Sequence, residues 1–114
     1  MTHKLETGSG KSDDGALKFE FTWYPGPGGK KIRQGAFKAF YQSGKLASEG
    51  NYVEGKEDGA WKNFHENGKL ASAGTYVQGK EHGVWKYYGL GGKLEETVEY
   101  ENGAELGAKP KKVK

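Results

Sequence analysis

WKNFHENGKLASAGTYVQGKEHGVWK, residues 61–86, begins and ends on Trp-Lys, and the same wording recurs on both sides of it. Cut at the glycine before each aromatic-Lys pair, the chain yields three blocks: 35–58, 59–82 and 83–106. The first two agree at 15 of 24 positions and the second and third at 9, without a gap. A fixed period of this size is the signature of a repeat architecture. A partial copy precedes the blocks: GALKFEFTWYPG, from Gly15, aligns with GKLASEGNYVEG, from Gly44. The domain reading is therefore a half repeat over 15–34, three repeats over 35–106, a flexible leader over 1–14 and a basic flexible tail over 107–114.

Within a block, glycine recurs too often for helix, and no apolar stripe of period 3.6 persists. Aromatic-rich runs bounded by Gly and Asn-Gly read instead as strands. Asn67-Gly68 suits a two-residue type I′ hairpin turn, in which both central residues need positive φ. That turn sets Glu66 opposite Lys69, Phe64 opposite Ala71 and Trp61 opposite Gly74. By the same register Phe37 faces Gly50 and Trp85 faces Val98. Each block is one β-hairpin, marginal alone in water. Stacking supplies the missing core as four columns. These are Phe37, Trp61, Trp85; Phe40, Phe64, Tyr88; Leu46, Leu70, Leu94; and Tyr52, Tyr76, Tyr100. The fold class is all-β, a single elongated or partly rolled sheet of antiparallel hairpins with about seven strands.

The pattern G-x-W-x-x-F/Y-x-x-x-G-K-L-x-x-x-G-x-Y-x-x-G-K is carried by Gly59, Trp61, Phe64, Gly68, Lys69, Leu70, Gly74, Tyr76, Gly79 and Lys80. It resembles the MORN repeat variant, the hairpin unit of proteins called YwqK-like antitoxins. The resemblance covers about residues 15–106 and implies an elongated, curved sheet used for protein contact. It also implies a link, through relatives with ordinary MORN repeats, to anionic lipid headgroups. The third block departs from the pattern at Val98, Gly89 and Ala104, which marks it as a terminal cap.

Composition limits the chemistry. With 15 aromatics the chain is not disordered despite 20 glycines. The net charge is +3, and the tail alone holds Lys109, Lys111, Lys112 and Lys114, so the rest of the chain stands at −1. A specific nucleic-acid footprint needs a basic patch on the fold itself. There is no Cys, no apolar run of membrane-spanning length and no secretory h-region, which makes the cytoplasm the expected compartment. Gly8-Ser9-Gly10-Lys11-Ser12 mimics the end of a phosphate loop but lacks the glycine five residues before Gly10, where Leu5 stands. His3, His65 and His82 show no ligand spacing, and no carboxylate pair or nucleophile arrangement stands out. No catalytic, metal or cofactor residue is expected, and the chain is read as a non-enzyme.

The candidate partner-binding residues are Lys38, Lys62 and Lys86 at one repeat position and Lys45, Lys69 and Lys93 at another. Stacking makes each set a column of like charge at strand spacing, repelling itself unless carboxylates or an anionic partner offset it. Glu49 can pair Lys38, whereas Lys62 and Lys86 face Ala73 and Thr97. A solvated face that guards against edge-to-edge aggregation is the plainer reading. The functional reading is a docking stripe: a protein-binding module of antitoxin or scaffold type, or a peripheral adaptor holding anionic lipid through the lysines and the tail.

Overall fold

A computed structural model of the chain describes residues 4–106. Its strands are β1 (Glu6–Lys11), β2 (Leu17–Pro25), β3 (Lys31–Tyr41), β4 (Leu46–Val53), β5 (Lys56–Glu57), β6 (Gly59–Phe64), β7 (Leu70–Val77), β8 (Lys80–Tyr88), β9 (Leu94–Glu101) and β10 (Ala104–Glu105). All belong to one antiparallel, unclosed sheet in the order β1-β2-β3-β4-β6-β7-β8-β9-β10, with β5 beside β4. Among the described residues the only helical piece is a single 3-10 turn, Pro27–Gly29, in the longer loop of the half repeat. The molecule measures 47 × 33 × 22 Å. Its radius of gyration of 15.9 Å exceeds the roughly 13 Å of a compact chain this long, as sideways growth of one sheet requires.

The pairs Phe37–Gly50, Trp61–Gly74 and Trp85–Val98 are present, but by another route than the expected turn. At 65–69 the His65 N–H donates to Lys69 O and the Gly68 N–H to His65 O, and only Gly68 has positive φ. This three-residue turn puts Phe64 opposite Leu70, not Ala71, and a bulge at Ala71 then restores the pairing of Asn63 with Ser72. The extra turn residue and the extra strand residue cancel. The two-residue turns with positive φ at both positions are Glu54-Gly55 and Gln78-Gly79, which join one unit to the next, and Asn102-Gly103, which joins β9 to β10. Each donates its glycine N–H to a carbonyl of the preceding unit: Arg33, Glu57 and Glu81 respectively.

The expected leader is corrected in part. Glu6–Lys11 pair with Trp23–Lys18 without a bulge and form the first strand of the sheet. Ser12 and Asp14 hold the following turn, where Asp14 Oδ1 accepts from Ser12 Oγ at 2.8 Å and from the Ala16 N–H at 2.9 Å. These bonds, the Ala16 one first, lower the Asp14 carboxyl below its ordinary value. The phosphate-loop mimic is thus strand and turn. Residues 1–3 and the basic tail, 107–114, lie outside the described residues.

One face of the sheet carries the core. Phe37, Trp61 and Trp85 are buried, and Tyr52, Tyr76 and Tyr100 pack against them. The first and fourth expected columns interleave. Tyr76 stands edge-on between Trp61 and Trp85, with ring centroids 5.4 and 5.0 Å away, and Tyr52 stands likewise between Phe37 and Trp61. Phe40, Phe64, Tyr88, Leu46 and Leu70 are only half-buried beside the turns, and Leu94 is 47% exposed, so those two columns do not join the buried cluster.

The glycines opposite the rings also receive the ring of the unit that follows. Trp61 lies over Gly50 of the preceding hairpin and Trp85 over Gly74, so close that a Cβ on either glycine would enter the ring. The Trp85 indole N–H also donates to Thr75 O at 3.0 Å. Each unit is therefore roofed by the next. Among the described residues no further unit covers the third, and there Val98 fills the glycine position and is itself buried. The same logic governs the turns. Tyr41 donates to Phe64 O, His65 Nε2 to Tyr88 O at 2.9 Å and Asn67 Nδ2 to Leu90 O at 2.8 Å, each reaching one unit ahead. In the third unit the equivalent positions are Gly89 and Gly91, which have no side chain to extend. The departures at Val98 and Gly89 are what a unit with no successor would carry.

Candidate interaction faces

The sheet has an inner aromatic face and an outer charged face. Because each unit contributes two strands, equivalent residues sit two strands apart and not side by side as expected. The row through the first lysine set reads Glu20, Lys38, Glu49, Lys62, Ala73, Lys86, Thr97 across successive strands. Carboxylates thus flank Lys38 on both sides. Glu49 lies beside Lys62 on one side as well, a cross-hairpin neighbour that hairpin pairing alone does not reveal. Lys86 has Ala73 and Thr97 as neighbours, and all three lysines are exposed. From Ala73 to Thr97 the row holds no carboxylate. Two strands at about 4.8 Å each separate Lys62 from Lys86 by roughly 10 Å. Lys45, Lys69 and Lys93 are exposed at the three-residue turns, along one edge of the sheet.

Backbone irregularity adds relief to this face. Between Glu49–Lys62 and the hydrogen bond from Asp58 N–H to Asn51 O, three residues of one strand oppose Gly50 alone. The strand bends away and leaves a furrow of about 500 Å³, floored by Ala36 and Ala60 and walled by Lys38, Glu49, Asp58 and Lys62. A second hollow of about 340 Å³ shares Ala36 and Lys38 and extends to Thr7 and Glu20.

The inner face carries a row of alternating rings and charges beside the unit-joining turns. Tyr52 pairs with Glu57, Tyr76 with Glu81 and Tyr100 with Glu105. At the position of those glutamates the half repeat has Arg33. Its guanidinium lies 4.6 Å from the Phe21 ring, 5.1 Å from Phe37 and 5.3 Å from Tyr52, whose hydroxyl it reaches at 3.2 Å. It closes the end of the aromatic ladder. Burial pushes the Tyr52 and Tyr76 phenols above their ordinary value, and the nearby Glu57 and Glu81 carboxylates push the same way. Tyr87, 3.2 Å from the Tyr100 hydroxyl, is raised further by burial and by that hydrogen bond.

In the centre of this face Asn63 bridges units, accepting from Ser48 Oγ at 2.7 Å and donating to Ser72 Oγ at 2.9 Å. The turn clamps and Asn63 escaped the sequence reading. The clamps have a signal in polar side chains at fixed block positions that give way to Gly89 and Gly91 in the last block, whereas Asn63 stands between Ala39 and Tyr87 at its position and carries none. His65 is such a clamp and His82 pairs with Thr75, while His3 lies outside the described residues. Among the described residues no group of three or more His, Cys, Asp or Glu is placed to hold a metal ion.

An unclosed sheet of stacked hairpins, each roofed by the next and differing only at its ends, defines a solenoid-like repeat protein. The family model described as MORN repeat variant matches residues 33–54, 57–78 and 81–102, more than half of the chain, and the chain belongs to that family. The matched units begin just after each unit-joining turn, two residues before the glycines used to divide the sequence above. No curated protein and no solved structure shows a significant match. MORN repeats are non-catalytic modules generally associated with protein and membrane binding. No helix among the described residues is long and apolar enough to cross a membrane.

Proposed function

We propose that the protein is a non-enzymatic docking module whose outer face holds an acidic segment of a protein partner. The observation that carries this reading is the pair Lys62 and Lys86, exposed across Ala73 at the end of the alternating row, with a carboxylate in the row beside Lys62 on one side only and beside Lys86 on neither. A polyproline II segment turns once in three residues and rises about 3.1 Å per residue, so carboxylates at every third position fall on one face about 9 Å apart, close to the roughly 10 Å between the strands that carry the two lysines. The furrow floored by Ala36 and Ala60 gives such a segment a path along the same wall. An antitoxin or scaffold role, in the cytoplasm, would be a particular case of this docking.

The test is fluorescence anisotropy with a labelled peptide carrying Glu at every third position and a scrambled control of equal charge. Binding to the intact protein, weakened at least tenfold by Lys62→Glu with Lys86→Glu and falling with salt, supports the reading. Equal binding of both peptides, or indifference to the reversal, overturns it. The second reading, an adaptor on anionic membrane, draws on Lys45, Lys69 and Lys93, which share one exposed edge. Co-sedimentation with phosphatidylserine vesicles that persists in the Lys62/Lys86 reversal but fails on reversing the edge lysines, or on removing the tail, would favour it.

A further inference from the structure

We infer that the β1 edge is a self-complementary surface through which two copies of this chain pair antiparallel, joining their sheets about a two-fold axis at Ser9. β1 stands at the end of the sheet with β2 as its only neighbour among the described residues. Its six pairs with β2 run without the irregularity that interrupts most other long strand pairings here. Edge strands are usually blunted by proline, bulges or charge. β1 has no proline and no bulge, and its charges, Glu6 and Lys11, sit only at its two ends. The far end of the sheet contrasts with it, since Glu95, Glu99 and Glu101 charge the last full strand and β10 covers part of it.

Hydrogen-bond alternation identifies the free groups. The Ser12 N–H donates to Leu17 O at 3.0 Å and closes the hairpin. Antiparallel pairs alternate, so Gly10, Gly8 and Glu6 direct their N–H and C=O groups toward β2. Thr7, Ser9 and Lys11 direct theirs to the open edge. Thr7 O accepts the Trp23 indole N–H at 3.3 Å and keeps a second lone pair.

A two-fold register through Ser9 makes Ser9 exchange backbone bonds with Ser9 of the second copy, and Thr7 with its Lys11. It also keeps like face against like. On the inner side Gly8 comes opposite Gly10, so neither edge strand brings a side chain of its own there, and the Phe21 and Trp23 rings of β2 lie over Gly8. On the outer side the two Ser9 hydroxyls meet, and each Lys11 faces Thr7. No like charges oppose one another. The joined sheet carries both lysine rows on one side, but the pairing rests on the edge alone and not on the docking reading.

Sedimentation velocity and light scattering of the full chain over a concentration series test this. The expected species has twice the 12.5 kDa of one chain. Ser9→Pro removes an N–H that β2 does not use, so the fold persists, checked by circular dichroism, while the dimer dissociation constant rises at least tenfold. Thr7→Lys opposes two lysines and weakens the dimer. Thr7→Glu sets a carboxylate against Lys11 and tightens it. A monomer at every concentration overturns the proposal, as does a dimer insensitive to Ser9→Pro or one that responds alike to both charges at Thr7. Amide exchange at Ser9 that does not slow as the protein is concentrated has the same consequence.

Discussion

Gly74→Ala is the smallest change that strikes the contact between units. Gly74 lacks positive φ, so alanine is acceptable to the backbone there. The cost arises entirely from the ring above it, because the new methyl would occupy the space of the Trp85 indole. Overpacking of a tight site costs about 1–3 kcal/mol. Displacing the ring also endangers the indole bond to Thr75 O, worth roughly 0.5–1.5 kcal/mol. Together these approach 2–4 kcal/mol, a large part of the roughly 5–15 kcal/mol that holds a small domain folded. Since 1 kcal/mol moves the midpoint of a domain this size by about 4–8 °C, the melt should fall by about 8–32 °C. Gly68→Ala is the contrast. It has positive φ and nothing within 4 Å, so only left-handed backbone strain of about 1–2 kcal/mol applies, and the tryptophan signal is untouched. Thermal and urea unfolding followed by tryptophan fluorescence decides. If Gly74→Ala melts with the parent protein and leaves its emission unchanged, the indole does not lie where the stacking argument needs it.

The other expectations concern the clamps and the phenols. His65→Ala and Asn67→Ala should each lower stability by about 0.5–1.5 kcal/mol in urea titrations, since each loses one bond to the next unit. Gly91→Asn in the last unit, where nothing lies within 4 Å and no carbonyl waits ahead, should stay within about 0.5 kcal/mol of the parent. The tyrosine shifts set an alkaline limit. Tyr52, Tyr76 and Tyr87 hold their protons more tightly folded than unfolded, where the ordinary value is 10.0. Their contribution is complete below that value and is lost as pH rises through it toward the folded pKa values, because the unfolded chain then binds fewer protons. Unfolding midpoints should fall steadily above about pH 10, and Tyr87→Phe should reduce that slope.

The period, the hairpins and the three ring-bearing pairs could be read from the sequence because repetition multiplies each weak signal. The turn chemistry was misassigned in an instructive way. Asn67-Gly68 has the composition of a type I′ turn, yet a three-residue turn and the bulge at Ala71 yield the same register farther along the strands. The turns with positive φ at both positions begin with Glu54, Gln78 and Asn102, of which only Asn102 carries the usual signal. There the pairing of whole units overrides local preference. Gly50 and Gly74 were assigned to the rings across their own hairpins, whereas the rings above them belong to the following unit. Pairing within a hairpin follows from local sequence, but pairing between hairpins depends on the wide bulge at Gly59. For the same reason Glu49 was credited to Lys38 alone, although it also borders Lys62. The lysine row survives as a surface feature of different shape: alternating at its first half and bare of carboxylates at its second. β1 was hidden because Thr-Gly-Ser-Gly has no apolar alternation, and its strand state comes from β2 beside it.

The α-proton shifts of Gly50 and Gly74 test the stacking most directly. Each proton sits beneath an indole of the succeeding unit. Both should be displaced strongly upfield by the ring current, show nuclear Overhauser contacts to Trp61 and Trp85 respectively, and lose the displacement in Trp61→Leu and Trp85→Leu. Glycine α-protons at ordinary positions, or contacts only to Phe37 and Trp61, the rings across their own hairpins, would contradict the account.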